Sequence, residues 1–190
     1  NMLKMGDKCT TEDMPEDLRK RYEPGEVIGK GGFGTVVEIT HKSSRRQYAL
    51  KMIASESESG FDEKTKKRLQ REAGMLREVD SPHVVGIYEE GFTDEGRLFF
   101  MVMELLKGEP LDVRIDKRDY MTESEAAIAG MHVIRGLVEI HKKGVMHRDI
   151  KPGNIICTPD ETQQGIWLPF LYLGLLSYTC KVHVSVAVFV

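Results

Sequence analysis

The stretch that decides the fold lies late in the chain and reads His147-Arg148-Asp149-Ile150-Lys151-Pro152-Gly153-Asn154. A carboxylate, a cation and an amide stand in it at fixed short offsets, behind a helical run and before an apolar pair. Side chains of these three kinds can hold a hydroxyl, a phosphate and a metal ion within a few ångströms of each other. The octet therefore indicates a loop that handles phosphate.

A glycine-rich segment near the N-terminus points to the same chemistry. Gly29-Lys30-Gly31-Gly32-Phe33-Gly34 follows a predicted strand over 22–28. Residues 35–40 are β-branched and alternate, which predicts a second strand and not the helix of a dinucleotide-binding fold. The glycines then join two antiparallel strands, where the backbone can approach phosphate oxygens closely. Taken alone, the segment is equally compatible with a hairpin that binds no ligand.

A lysine inside an apolar strand is the third signal. Lys51 lies within the predicted strand 47–53, and an interior lysine is costly unless it is paired. The predicted helix 61–79 carries Glu72 beside an apolar stripe, so Glu72 is the expected partner of Lys51. The alternatives are an edge lysine that reaches solvent and one more exposed glutamate on a charged helix.

Further strands are predicted over 84–88 and 98–103, and a long helix from Thr122 to about residue 142. Thr122 with Glu125 forms a capping-box pattern. The helix has two adjacent apolar stripes, which predicts that it lies at the centre of a lobe. The stripes are Ala127, Met131, Ile134 and Val138, and beside them Val133, Leu137 and Ile140.

In this order along the chain, the glycine hairpin, Lys51, Glu72 and the octet resemble the protein serine/threonine kinase family over about residues 22–168. The resemblance implies an α+β, kinase-like fold: a five-stranded antiparallel lobe with one helix, then a truncated helical lobe. It leans weakly toward calmodulin-dependent-like kinases. It also implies ATP and Mg²⁺ as ligands, and a protein substrate that offers a serine or threonine hydroxyl.

The resemblance assigns roles to the octet. Asp149 would orient the substrate hydroxyl, Lys151 would neutralise charge on the transferring phosphate, and Asn154 would give an oxygen to Mg²⁺. In the family, Arg148 receives a phosphorylated activation loop, whereas His147 is structural.

The resemblance also defines a nucleotide site. Lys51 would bind the α- and β-phosphates, the backbones of Glu104 and Leu106 would meet the adenine edge, and Met103 would limit the depth behind it. The complete set of predicted nucleotide-binding residues is Gly29, Gly31, Gly34, Val36, Ala49, Lys51, Glu72, Met103, Glu104 and Leu106.

The chain departs from the family pattern after Leu168. An Asp-Phe-Gly should follow, but the chain reads Pro169-Phe170-Leu171, and Asp160 and Glu161 stand in a turn at the wrong place. A metal-binding carboxylate is therefore missing, and we expect this chain to be inactive as it stands. The alternative function is a non-catalytic, pseudokinase-like module that binds nucleotide or a partner.

Residues 169–190 are nearly all apolar, with Lys181 as the one formal charge. Three interpretations remain open: a membrane tail anchor, an exposed β-segment, and a translated intron or shifted frame that was never selected to fold. We favour the third, because about 20 uninterrupted apolar residues are needed to span a membrane.

The length, net charge and cysteine content limit the functional classes and the cellular locations to which the chain could belong. With 190 residues and a net charge of −3, the chain has no basic tract for nucleic acid. Three widely spaced cysteines and no signal-peptide pattern predict a reducing, cytoplasmic location. The expected organisation is a flexible leader (1–21), the first lobe (22–103), the hinge and partial second lobe (104–168), and the apolar tail (169–190). The oligomeric state is left open.

Overall fold

The computed structural model describes residues 14–31, 34–92, 96–159 and 166–167. Its helices are α1 (Glu16–Arg21), α2 (Glu63–Arg77), α3 (Leu111–Asp116) and α4 (Glu123–Lys142). Its strands are β1 (Tyr22–Gly31), β2 (Gly34–His41), β3 (Gln47–Ala54), β4 (Ile87–Phe92), β5 (Leu98–Glu104), β6 (Glu109–Pro110), β7 (Ile156–Pro159) and β8 (Ile166–Trp167).

The first lobe is a five-stranded sheet in the order β1-β2-β3-β5-β4, and every neighbouring pair is antiparallel. Its central strands are buried on both faces, which explains their near-continuous apolar sequence. One face packs against α2 through Leu69, Ala73 and Leu76, the stripe that the sequence predicts. The predicted kinase-like fold class is therefore confirmed.

The start of helix α2 is fixed by an N-cap residue. Asp62 precedes it, and the carboxylate of Asp62 accepts a hydrogen bond from the backbone amide of Thr65 at 2.8 Å. This bond satisfies one of the amides that a helix leaves unpaired at its first turn. The two hydrogen bonds from Thr65 lower the pKa of Asp62. The cap fixes the start of the helix that carries Glu72.

The described part of the second lobe consists of α3, α4 and a small sheet in the order β6-β7-β8. The predicted capping box of α4 is present: the Glu125 amide donates to Oγ1 of Thr122 at 3.2 Å, and the Thr122 amide donates to Oε2 of Glu125 at 2.7 Å. The octet connects α4 to β7, and Pro152–Asn154 within it form a single 3-10 turn.

Two sequence predictions need correction. The predicted flexible leader 1–21 is wrong for residues 14–21, because α1 is helical and buries Leu18 completely against the outer face of the sheet, with Met14 beside it. The fourth strand is predicted over 84–88 but runs from 87 to 92. Val84 and Val85 are apolar because they pack in the core that also contains α4 residues, not because they belong to the strand.

The two predicted apolar stripes of α4 differ in burial. Val133, Leu137 and Ile140 pack in the main core, as expected of a central helix. The other stripe is exposed within the described structure: Met131 is 45%, Ile134 62% and Val138 45% accessible. None of the described helices combines the length and the apolar character that crossing a membrane requires. The predicted apolar tail, 169–190, lies outside the described residues.

Candidate active site

A cleft of about 660 Å³ lies between the two lobes. Strands β1, β2 and β3 form its roof, the segment 103–108 its back, and the octet with β7 its floor. Ten of the predicted site residues line it: Gly29, Gly34, Val36, Ala49, Lys51, Met103, Glu104, Leu106, Lys151 and Asn154. Residues that are distant in sequence thus meet around one space of the size that small-molecule ligands occupy.

The glycine hairpin forms the front of the roof. Gly31 pairs with Gly34 at its tip, and Gly32 and Phe33 lie outside the described residues. Gly34 has φ +118°, and a Cβ there would collide with the carbonyl oxygen of Met52. Only glycine fits that position, so the close packing of β2 on β3 depends on it.

Lys51 is buried in the cleft wall and is 1% exposed. Its Nζ has no hydrogen-bond partner among the described residues. Burial lowers the pKa of Lys51 from 10.5 to about 7, the nearby Asp149 raises it in part, and Lys151 lowers it further. A buried ammonium with an unsatisfied donor, facing a cleft, is a ready site for an anion.

The predicted pairing of Lys51 with Glu72 is wrong in this structure. Oε1 of Glu72 instead lies 3.6 Å from Nη1 of Arg148, in the octet. Both residues are partly buried, and the contact ties α2 to the loop. Sequence spacing placed Glu72 correctly beside the apolar stripe of α2, but spacing along one helix cannot tell which of two nearby cations it meets.

Arg148 adopts φ +63°, a left-handed backbone conformation that is uncommon for a residue other than glycine. Such strained positions persist where the surroundings hold them, and they concentrate at functional sites. Here the turn directs Arg148 toward α2, while the next residue, Asp149, meets Lys151 and Asn154.

The octet forms a small hydrogen-bonded cage around Asp149. The Asn154 amide donates to both Oδ2 and the backbone oxygen of Asp149, at 2.9 and 2.7 Å. Nζ of Lys151 lies 3.1 Å from the same Oδ2. The amide of Asp149 donates to Nδ1 of the buried His147 at 3.3 Å. The two contacts at Oδ2 fix the direction in which the carboxylate points, and the two backbone bonds hold the residue in place. A fixed direction is the requirement for a group that must orient a hydroxyl.

These hydrogen bonds also determine which atom of Asn154 is available to a metal ion. Because its amide nitrogen is committed to Asp149, Oδ1 is the atom that could bind a cation, and Asn154 is 2% exposed at the cleft floor. A neutral oxygen suits Mg²⁺. Within the described ranges, no cluster of three or more histidine, cysteine or acidic side chains could hold a metal by itself.

At the back of the cleft, Met103 is buried, and Glu104 and Leu106 line the same space. The amide of Glu104 donates to the backbone oxygen of Gly86 at 2.9 Å. Of the two backbone groups of Glu104, only the carbonyl could therefore serve a ligand.

Sequence reasoning missed one acidic residue of the site. Asp112 lines the cleft from the first turn of α3 and lies so close to the octet that a Cβ on Gly153 would be 2.6 Å from its Oδ2. Oδ1 of Asp112 accepts a hydrogen bond from the amide of Val113 at 2.8 Å. The sequence offers one signal for it: Asp112 is an acidic residue in the first turn of a helix, a position that the helix dipole favours.

Comparison with known proteins agrees with this geometry. A family described as the protein kinase domain matches residues 22–168. The chain belongs to the protein kinase domain family. The match spans the five-stranded lobe, the cleft and the octet, so the resemblance inferred from the residues is confirmed at the level of the family.

Two relatives illustrate the similarity within the serine/threonine kinases. A probable myosin light chain kinase of Dictyostelium discoideum is 34% identical over 135 residues, which are 71% of this chain and 41% of that protein. The serine/threonine-protein kinase DCLK3 of Mus musculus is 30% identical over 165 residues, 87% of this chain and 20% of that protein. The chain thus spans less than half the length of these relatives.

Proposed function

We propose that the cleft binds ATP with Mg²⁺ and that the chain is a serine/threonine protein kinase by descent, built to phosphorylate a protein hydroxyl. The observation that carries this proposal is Lys51, a buried cation without a hydrogen-bond partner among the described residues, at the wall of a cleft of nucleotide size. Membership of the family supports the ligand identity. The phosphates would supply the counter-charge that Lys51 lacks.

In this proposal each group of the chain has one task. The glycine hairpin covers the phosphates, and Lys51 holds them by charge. The carbonyl of Glu104 and the amide of Leu106 orient the base. Bound ATP with Mg²⁺ supplies the transferable phosphoryl group and the metal that shields it.

The catalytic loop acts on the other substrate. Asp149, held by Asn154, orients the hydroxyl of the protein substrate and accepts its proton at Oδ2 or Oδ1. Lys151, 3.1 Å from Asp149, neutralises charge as the phosphoryl group moves. Oδ1 of Asn154 would hold the metal ion, whose charge would offset that of the phosphates. Because Arg148 holds Glu72, that pair must open before Glu72 can support Lys51.

A second candidate is a non-catalytic nucleotide-binding or partner-binding module. Two observations favour it for this chain: Pro169-Phe170-Leu171 stands where the family has Asp-Phe-Gly, and Glu72 contacts Arg148 and not Lys51. We infer accordingly that this chain binds ATP weakly and transfers no phosphoryl group above background. A cytoplasmic location goes with this proposal, since ATP and reduced cysteines are found there.

The binding experiment is a titration of the whole chain with a fluorescent ATP analogue, with and without Mg²⁺. We expect weak, saturable binding that Lys51→Ala reduces at least tenfold. The matched control is Lys67→Ala, an exposed lysine on α2 that lies away from the cleft. Equal affinity of the Lys51→Ala variant and the unaltered chain would refute the assignment of Lys51.

The transfer experiment separates the two candidates. The chain is incubated with ATP, Mg²⁺ and a basic serine peptide, and phosphopeptide is counted. We expect none above background. Robust transfer that disappears in Asp149→Asn would contradict the inactive interpretation and would require another carboxylate in place of the missing one.

A further inference from the structure

Two histidine rings meet where the lobes touch. His83 lies on the loop between α2 and β4, and His132 lies on α4. Their ring centroids are 4.7 Å apart and their planes are tilted by 34°. His83 is 9% exposed, and the next two residues, Val84 and Val85, belong to the core cluster that contains α4 residues. The pair therefore lies where the loop before β4 meets α4.

Charged groups stand on the elements that adjoin this pair. From α4, Arg135 lies one turn beyond His132 and faces His83. From the sheet, Glu104 reaches the loop at Gly86, whose amide donates to Oε2 of Glu104 at 3.4 Å. From the end of α2, Glu78 pairs with Lys143 at 3.1 Å. The partners of His83 on α4 are thus a titratable ring and a permanent cation.

We propose that the His83–His132 ring pair is an acid-sensitive latch between the lobes, which holds while the rings are not both charged and opens when both are protonated. Neutral imidazole rings in contact attract each other. Two imidazolium rings at 4.7 Å, beside Arg135, repel each other. The loop before β4 would then leave α4, and the cleft geometry would change with it.

The direction of the pH effect follows from the surroundings of His83. Burial, and then His132 and Arg135, lower the pKa of His83 below 6.5. A histidine whose folded-state pKa is depressed contributes stability above its unfolded pKa, and this contribution is lost as the pH falls below about 6.5. The latch is therefore closed at neutral pH and opens in acid.

The first test follows the histidine ring protons of the whole chain by NMR between pH 8 and pH 4.5. Two coupled rings should bind their protons in separate steps. Even at the dielectric constant of water, a charge 4.7 Å away separates the steps by about 0.6 pH unit. In His132→Gln, His83 should titrate in one step, above the second step of the unaltered pair. His141→Gln, an exposed histidine of the same helix, is the matched control and should leave both rings unchanged.

The second test measures opening directly, as hydrogen exchange of the Glu104 amide, which is bonded to the Gly86 oxygen at the end of the loop. Its protection should fall at least fivefold between pH 7.5 and pH 5.5, after correction for intrinsic exchange, and should fall less in His132→Gln. An equal fall in both proteins, or a His83 titration that His132→Gln leaves unchanged, would overturn the latch. If the His132→Gln variant does not fold, the NMR titration of the unaltered chain tests the proposal by itself. Both rings titrating together at or above pH 6.5 would also overturn the latch.

Discussion

Replacing Lys51 with methionine should stabilise the fold at neutral pH while it destroys the proposed anion site. Methionine has a similar length and no charge, so it fills the same buried space without the desolvation that the ammonium suffers. The pKa of Lys51 is about 7 in the folded chain and 10.5 when the side chain is fully hydrated. The difference measures how strongly the fold disfavours the charged form.

The magnitude follows from proton linkage. Between pH 7 and pH 10.5 the unfolded chain holds the Lys51 proton while the folded chain has released it, so stability rises with pH. With these two pKa values, the charge costs the fold up to about 4 kcal/mol at pH 7 and about 2 kcal/mol at pH 9. Lys51→Met removes the cost at every pH, so its advantage should shrink by about 2 kcal/mol over that range.

The assay is urea unfolding of both proteins at pH 7, 8 and 9, with the free energies compared pairwise so that other titrating groups cancel. Lys67→Met on the exposed face of α2 is the control, and it should show a difference that does not vary with pH. A stability difference between Lys51→Met and the unaltered chain that stays constant from pH 7 to pH 9 would refute the reasoning, because Lys51 would then be charged in the fold at no cost.

Three further changes have expected outcomes. Arg148→Gln removes the cation that now contacts Glu72 on α2. If the Glu72 carboxylate then turns to Lys51, it raises the pKa of Lys51, so the free energy of unfolding should rise less steeply with pH in the same urea series. Thr122→Ala removes the cap of α4 and should cost about 1 kcal/mol in urea unfolding. Gly34→Ala should cost about 2 kcal/mol or more and abolish binding of the ATP analogue, whereas Gly130→Ala, which meets open space, should be neutral or stabilising.

Each of these has a result that contradicts it. An unchanged pH slope in Arg148→Gln would mean that the freed carboxylate does not reach Lys51. For the helix cap, Ser124→Ala at an exposed position of the same first turn is the control, and an equal loss in both variants would point to a cause other than the capping bond. Normal nucleotide affinity in Gly34→Ala would show that the hairpin tolerates a side chain there.

The fold was predictable where one residue pattern had one physical meaning. The alternation after Gly34 could only make a strand, and Thr122 with Glu125 could only begin a helix, so both elements are where the sequence places them. The position of β4 was not predictable, because Val84 and Val85 satisfy a strand pattern and a core-packing loop equally well.

The site was predictable as a set of residues and less so as a set of contacts. Family resemblance put Lys51, Glu72 and Asn154 near one cleft, and two of these three line it. Which cation Glu72 meets depends on the relative positions of α2 and the octet, a tertiary property that no local pattern encodes. The sequence analysis missed the buried side of α1 because this helix has only six residues and most of them are charged. So short a segment shows no apolar periodicity that would mark Leu18 as a core residue.

The most direct test of the central claim is the titration of the Lys51 ammonium itself, followed by NMR of the ¹³C-labelled lysine side chain with and without ATP and Mg²⁺. Without nucleotide, the pKa should be about 7. With nucleotide, a phosphate beside Nζ favours the charged form and should raise the pKa by at least one unit. A Lys51 pKa that saturating ATP leaves unchanged would contradict the account, since the phosphates would then lie elsewhere.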